Sequence, residues 1–180
     1  MTFIKRTGPP KPKRLVKYLT QPQVNTILDR ARNVNKRDYL IMLTLWKTGM
    51  RCDELTSLTK RDIKQDEIII RQGKGNKDRM IPLDSSLGDL LNYHSASMNL
   101  EDRLFPLTNA QIRNIVHTYQ GEENVHPHTF RHSFSVHTLK QGVNIRSLQK
   151  MLGHTDLNTT AQYLDLIGED IKEDYKKIQW

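Results

Sequence analysis

Residues 67–83, EIIIRQGKGNKDRMIPL, decide the fold class because they interrupt a chain whose other patterns are helical. The runs at 67–71 and 79–83 are short and rich in β-branched and large apolar residues, which favours strands. The residues between them are mostly turn formers. The stretch therefore predicts a β-hairpin whose second strand ends at Pro82 or lies at a sheet edge, since proline cannot donate to a central ladder.

Helical patterns lie on both sides of this hairpin. Thr20 with Gln23, and Thr108 with Gln111, form capping-box patterns ahead of apolar residues at helical spacing. The segment 37–47 is apolar on most faces, which is typical of a central helix. These signals predict a mainly α fold with one small antiparallel hairpin, an α+β class. The remaining helices are expected near Asp53, over 87–94 after Ser85 or Ser86, over 128–141, over 145–152 between Asn144 and Gly153, from about 158, and over 170–179.

Length and composition favour one globular domain in an intracellular compartment. The chain has 180 residues, 36% hydrophobic and 27% charged, which suits a protein with a real core and much polar surface. It has no apolar run that could span a bilayer and no signal-peptide pattern. The single cysteine, Cys52, cannot form an internal disulfide. We therefore expect a cytoplasmic protein with no membrane partner.

Positive charge is concentrated at the start of the chain. The formal net charge is +8, and six basic residues precede the first acidic one, so the rest of the chain has 22 basic residues against 20 acidic ones. Prolines in the same segment favour an extended arm over residues 1–17. Such an arm suits either contact with a polyanion or a solubilising tail. The candidate contacts to a polyanion are Lys11, Lys13 and Arg14 in the arm and Lys77 in the hairpin loop.

Two segments carry side chains that suit a phosphate. His128 and Arg131 are three residues apart on a predicted helix, so their side chains share a face. Arginine forks onto two phosphate oxygens, and histidine exchanges a proton near neutral pH. Lys74 lies between two glycines at the hairpin turn, where the backbone can approach a phosphate closely. Each feature is equally typical of ordinary exposed charge: a surface pair on a helix and a charged loop.

Arg51 follows a glycine at a helix junction, and Glu54 lies three residues later. The carboxylate is placed to fix the guanidinium fork, although the same spacing also describes an ordinary helical ion pair.

Four histidines between 126 and 137 raise the alternative of a metal site. No cysteine or paired acidic ligand completes a zinc pattern there, so no metal is predicted. Buried rings hydrogen-bonded to the backbone explain two of them more simply. The four histidines are His126, His128, His132 and His137. Backbone hydrogen bonds are predicted for His132 and His137.

Four stretches in this order also match a known family. They are TGMRCDELTSL at 48–58, GKGNKDRMIPL at 73–83, HPHTFRHSFSVHTL at 126–139 and LGHTDLNTTAQYLDL at 152–166. The chain resembles the catalytic domain of tyrosine recombinases, also called phage-type integrases, and is similar to their Xer-like members. The opening YLTQPQV fits the start of the same domain, so the resemblance covers most of the chain.

The resemblance implies a phosphodiester as the target and Tyr163 as the nucleophile. Tyr163 would attack the phosphorus in line, forming a 3′-phosphotyrosyl link and releasing a 5′-hydroxyl. Arg51 and Arg131 would bind the non-bridging oxygens and stabilise the transition state. His128 would act as general base for the tyrosine, and Lys74 would protonate the departing oxygen.

Two further residues gain roles from the resemblance. His154 would donate a hydrogen bond to the phosphate, and Glu54 would support the cationic cluster. No metal, ATP or other cofactor is expected, because the cations take the place of a metal ion and the covalent link conserves the phosphodiester energy.

The resemblance also implies double-stranded DNA as partner, with a tetramer of identical copies or assembly with a partner recombinase. Residues 18–180 would form the catalytic domain, and a terminal helix over 169–180 would dock in cis or on a neighbouring copy. By this resemblance the 180 residues are expected to lack the family's N-terminal core-binding domain, either as an excised catalytic fragment or as a naturally short protein. DNA binding by the chain would then depend on the arm and on salt. Two rival functions stay open, a type IB topoisomerase-like relaxation of DNA and a non-catalytic DNA-binding module.

Overall fold

The computed structural model of the chain describes residues 17–71, 78–153 and 163. Within these residues the fold is mainly helical with one two-stranded antiparallel sheet, so the predicted fold class is confirmed. The elements are α1 (Gln21–Val34), α2 (Lys36–Thr48), α3 (Cys52–Ser57), a 3-10 helix (Lys60–Asp62), β1 (Glu67–Ile70), β2 (Arg79–Pro82), α4 (Ser85–Ser95), α5 (Asn109–Tyr119), α6 (Pro127–Lys140) and α7 (Ile145–Leu152).

Most helix ends follow the local signals in the sequence. The backbone N–H of Thr20 donates to Oε1 of Gln23 at 2.8 Å, and Thr108 and Gln111 repeat this arrangement at 2.8 Å. α2 ends at Gly49, whose φ of 60° lies in the left-handed region that favours glycine. These bonds satisfy N–H groups that a helix start leaves without a partner.

The expected start of α4 was wrong by two residues, since the helix begins at Ser85 rather than Leu87. Asp84, rather than Ser85 or Ser86, is the N-cap, and its carboxylate accepts the backbone N–H of Leu87. Aspartate is as good an N-cap as serine and also interacts favourably with the positive end of the helix dipole.

α2 is the central helix, as its apolar pattern predicted. It packs against α1, α4, α5 and α6, and Ile41, Met42 and Leu45 are fully buried. Burial of each such side chain contributes about 1.5–3 kcal/mol. Because α2 ends at Gly49, the core fixes the position at which the following α3 begins.

β1 and β2 pair antiparallel with Ile68 opposite Ile81, and both of these side chains are buried. The predicted hairpin strands are thus confirmed, while residues 72–77 of its loop lie outside the described residues. β2 also packs against α7, which brings Arg79 into the interior. The 3-10 helix was not predicted, because three residues carry no periodic pattern.

A second apolar cluster lies between α6 and α7. Its buried members are Val136, Leu139, Leu148, Leu152 and Tyr163. The tyrosine ring is therefore part of the packing between these helices. In the described part of the chain, no helix has the length and apolar character needed to cross a bilayer.

Candidate active site

Arg131 lies at the centre of the site and is 1% exposed. Its guanidinium donates through Nη1 to the carbonyl of Gly49 at 2.7 Å and through Nη2 to the carbonyl of Leu152 at 2.8 Å. These carbonyls belong to the C-terminal ends of α2 and α7, where the helix dipole is negative. The helix ends therefore hold the guanidinium in one plane and offset part of its charge.

Glu54 joins two arginines. Its Oε1 accepts from Nη1 of Arg51 at 3.0 Å and from Nη1 of Arg79 at 2.9 Å. Its Oε2 accepts from the backbone N–H of Arg51 and from Nη2 of Arg79, each at 2.7 Å. Arg79 also donates through Nε to the carbonyl of Met151 at 2.8 Å. The carboxylate that the sequence placed beside Arg51 thus contacts it and binds a second arginine as well.

Glu54 and Arg79 are both nearly enclosed, with side chains 9% exposed. Burial by itself would raise the pKa of Glu54, but the hydrogen bonds and charges of Arg79 and Arg51 outweigh it and lower that pKa below its usual value. Glu54 is therefore ionised at neutral pH, and it offsets positive charge between α3, β2 and α7.

Tyr163 contacts α6 through a histidine. Its Oη lies 2.8 Å from Nδ1 of His132, and the phenol is 1% exposed. The rings of His132 and His128 meet edge to face, with centroids 4.5 Å apart. One short stretch of α6 thus supplies two imidazoles and the Arg131 guanidinium. The phenol comes from Tyr163, 31 residues after His132.

The surroundings disfavour positive charge on these groups. Burial, helped by the charge of Arg51, lowers the pKa of Arg131 to about 10. That pKa is still well above 7, so Arg131 stays charged at neutral pH. Burial, Arg131 and Arg51 lower the pKa of His128. Burial, His128 and Arg131 lower the pKa of His132 to about 4. Both imidazoles are therefore neutral at pH 7 and able to accept a proton or a hydrogen bond.

An open cavity of about 490 Å³ adjoins Arg51 and His128. Cys52 and Arg113 also line it, and burial raises the pKa of the Cys52 thiol. The cavity opens to solvent, so a polyanion that enters it would meet the Arg51 guanidinium and the His128 ring.

The histidines between 126 and 137 do not converge on a metal. Across residues 17–71 and 78–153 with Tyr163, no three His, Cys, Asp or Glu side chains lie close enough to hold an ion. His137 bonds through Nε2 to the carbonyl of Leu19 at 2.8 Å, which confirms its predicted backbone partner. The same prediction was wrong for His132, whose Nδ1 contacts Oη of Tyr163. The helical pattern shows on which face of α6 His132 lies, but it does not show which residue packs against that face.

The structure brings Arg51, Glu54, His128, Arg131 and Tyr163 into one region. Two site residues were missed by sequence reasoning, His132 and Arg79. A signal for each was available, because both residues lie inside the matched stretches. His132 follows Arg131 in the 126–139 motif, and Arg79 is the arginine in GKGNKDRMIPL. The remaining candidates lie outside the described residues: Lys11, Lys13, Arg14, Lys74, Lys77 and His154.

Comparison with known proteins gives consistent results. A model of the phage integrase family matches residues 17–168. Tyrosine recombinase XerA of Thermococcus kodakarensis is 36% identical over 96% of this chain and 66% of its own length. A tyrosine recombinase of Pseudothermotoga lettingae is 34% identical over 88% of this chain and 59% of its own length. The chain thus spans less than two thirds of the length of these curated relatives.

Solved structures share the fold. A crystal structure of XerA recombinase aligns with 97% of this chain and 68% of its own at a TM-score of 0.76 and 26% identity. The catalytic domain of bacteriophage HP1 integrase aligns with 90% of this chain and 95% of its own at a TM-score of 0.71 and 24% identity. With the family match over most of its length, the chain belongs to the phage integrase family.

Proposed function

We propose that this chain is the catalytic domain of a site-specific recombinase that cleaves and rejoins double-stranded DNA through a 3′-phosphotyrosyl link. One observation carries the proposal: the phenol of Tyr163 is buried against the imidazoles of α6 beside the Arg131 guanidinium. A phenol is a poor nucleophile near neutral pH unless its proton is accepted and cations stabilise the developing charge. The name tyrosine recombinase in two relatives is consistent with this chemistry.

Arg51 and Arg131 would bind the two non-bridging oxygens of the scissile phosphate. The bonds from Arg131 to two helix-end carbonyls, and from Arg51 to Glu54, support this role because they fix both guanidinium groups before DNA arrives. Donors that are already in place need no reorganisation during the reaction, which is the main advantage of such a site. Glu54 acts through the arginines and is a positioning residue.

Tyr163 would attack phosphorus in line while the bond to the 5′-oxygen breaks. We assign Lys74 as the proton donor to that oxygen and His154 as a hydrogen-bond donor to the phosphate. A histidine of α6, predicted from the sequence to be His128, is assigned as general base for the tyrosine. No metal, ATP or other cofactor is part of the proposal, and the covalent link retains the energy needed to rejoin a strand.

The match of the family model to residues 17–168 supports a division of the chain. Residues 18–180 would form the catalytic domain, and the basic arm would contact the DNA backbone through Lys11, Lys13 and Arg14, with Lys77 adding a contact from the hairpin. Residues 169–180 would dock in cis or on a second protomer, within a tetramer or beside a partner recombinase. The site of action would be DNA in the cytoplasm.

The test uses covalent trapping. The full chain is incubated with a pool of end-labelled, nicked duplexes of randomised sequence, in which the short cleaved strand diffuses away, and label that migrates with the denatured protein is measured. We expect an adduct with the wild type and none with Tyr163→Phe, which removes only the attacking oxygen. Arg51→Ala should also suppress the adduct, whereas His137→Asn, a substitution in α6 outside the site, should not.

Two outcomes would overturn the proposal. A wild-type chain that forms no adduct with any member of the pool lacks the cleavage activity. An adduct that forms equally with Tyr163→Phe shows that another group attacks. Relaxation of supercoiled plasmid without recombinant product would favour the topoisomerase-like alternative, which the names of the relatives do not support.

A further inference from the structure

His132 contacts the atom that would attack the phosphate. Its Nδ1 lies 2.8 Å from Oη of Tyr163, the ring centroids are 5.6 Å apart, and the phenol is almost completely enclosed. A proton acceptor must be within hydrogen-bond reach of the proton that it takes, and 2.8 Å satisfies that condition. His128 packs edge to face against the ring of His132, with centroids 4.5 Å apart, and so adjoins the acceptor.

The protonation state of His132 suits an acceptor. Burial, His128 and Arg131 lower its pKa to about 4, so the ring is neutral at physiological pH. With the ring proton on Nε2, the lone pair on Nδ1 accepts the phenolic hydrogen. A charged imidazole could only donate to the phenol, and it would leave the phenolic proton in place.

We propose, on the basis of the function proposed above, that His132 is the catalytic residue that receives the proton of Tyr163 as the phenol attacks. The Oη–H bond breaks and its proton moves to Nδ1 of His132. The Oη–P bond forms as the bond from phosphorus to the 5′-oxygen breaks, and that oxygen keeps the bonding electrons and takes a proton from a separate donor. In the reverse step the imidazolium returns its proton to the phenolic oxygen, so no oxidant or further reactant is needed.

The same geometry makes the basicity of His132 depend on bound DNA. The positive charges around His132 make it a weak base, because they oppose a further charge on the ring. A phosphodiester bound at Arg131 and beside His128 brings a negative charge that offsets them. His132 then becomes a stronger base only when the substrate is present, so Tyr163 is activated only after a phosphodiester has bound.

The distinguishing variant is His132→Asn. The asparagine amide oxygen can accept the phenolic hydrogen close to the position of Nδ1, but it cannot hold a proton at neutral pH. We expect single-turnover adduct formation to fall by about 100-fold or more, the usual contribution of a general base. The matched control is His137→Asn, in the same helix and also half-buried, which should keep the wild-type rate because its partner is the carbonyl of Leu19.

A sulfur-substituted DNA separates the base from the acid. When sulfur replaces the 5′-bridging oxygen, the leaving group needs no proton, so a defect in the proton donor is relieved and a defect in the base is not. Lys74→Ala should therefore recover on this DNA while His132→Asn stays slow. Added imidazole should raise the rate of His132→Ala, since a small base can enter the space left by the ring.

Each result decides the assignment. If the wild type forms no adduct, the proposed function fails and His132 loses its role with it. If the wild type reacts and His132→Asn reacts within about threefold of it, the contact is structural and only this inference is wrong. Recovery of His132→Asn on the sulfur-substituted DNA would also refute it, because His132 would then act on the leaving group. His132→Gln, with the same expected loss, takes the place of His132→Asn if thermal unfolding shows that the latter does not fold.

Discussion

Removing Arg79 from its enclosed ion pair with Glu54 should destabilise the domain strongly. Two parallel bonds of 2.9 and 2.7 Å join the guanidinium to the carboxylate, and both side chains are 9% exposed. A third bond, from Nε to the carbonyl of Met151, ties β2 to α7. The substitution Arg79→Met keeps most of the apolar stem and removes all three bonds.

The expected cost follows from this geometry. Hydrogen bonds to charged groups contribute about 1.5–3 kcal/mol each, and removing one partner of a buried pair leaves the other charge without compensation. Such removals cost about 3–5 kcal/mol in proteins. Glu54 would retain its contact to Arg51, so we expect Arg79→Met to lower the free energy of unfolding by about 3 kcal/mol, the lower end of that range.

Urea unfolding, followed by far-UV circular dichroism, measures this change. The matched control is Arg61→Met, because Arg61 and Glu101 also lie 2.8 Å apart but are 45% and 69% exposed. Exposed pairs contribute less than about 1 kcal/mol, so the control should change little. Equal losses for the two variants, with unchanged denaturant slopes, would refute the argument that enclosure makes the Arg79 pair strong.

Two further predictions concern the same region. The free energy of unfolding should fall as pH is lowered below about 4.3, the ordinary pKa of a glutamate, because the pKa of Glu54 is lower in the folded state and its stabilisation is lost as pH falls through that folded-state pKa. In urea unfolding at stepwise pH, Glu54→Gln should show a shallower fall with pH. A pH profile identical to that of the wild type would contradict this role of Glu54. Gly49→Ala should lower the melting temperature more than Gly142→Ala. Both glycines have a positive φ, but of the two only Gly49 would place a Cβ against the Phe134 ring. Equal falls in melting temperature would show that Phe134 moves aside freely.

The sequence predicted those features that depend on neighbouring residues. The capping pair of Thr20 and Gln23 is complete within four residues, and Gly49 ends α2 through its own backbone conformation. The pair of Arg51 and Glu54 is of the same kind, because one turn separates its members. Signals of this type need no knowledge of how the helices pack.

The parts that sequence reasoning missed depend on packing. Glu54 lies 25 residues before Arg79, and His132 lies 31 residues before Tyr163. Periodicity along α6 shows that His132 shares a face with His128, but it does not show which element covers that face. The sequence therefore predicts a backbone partner for both His132 and His137, and the prediction holds only for His137.

The positions of the cations show how the fold tolerates a positively charged site. Arg131 and Arg79 both bond to carbonyls near the C-terminus of α7, and Arg131 bonds to the end of α2 as well. These helix ends are partly negative, and Glu54 adds a full negative charge, so the cations are held in place before any phosphate binds. Substrate binding then does not have to gather them, which is the condition for strong stabilisation of a transition state. The same bonds hold helices together, so substitutions of Arg131 affect folding and chemistry at once. A loss of cleavage in Arg131→Ala therefore identifies a catalytic role only when the fraction of folded protein is measured alongside it.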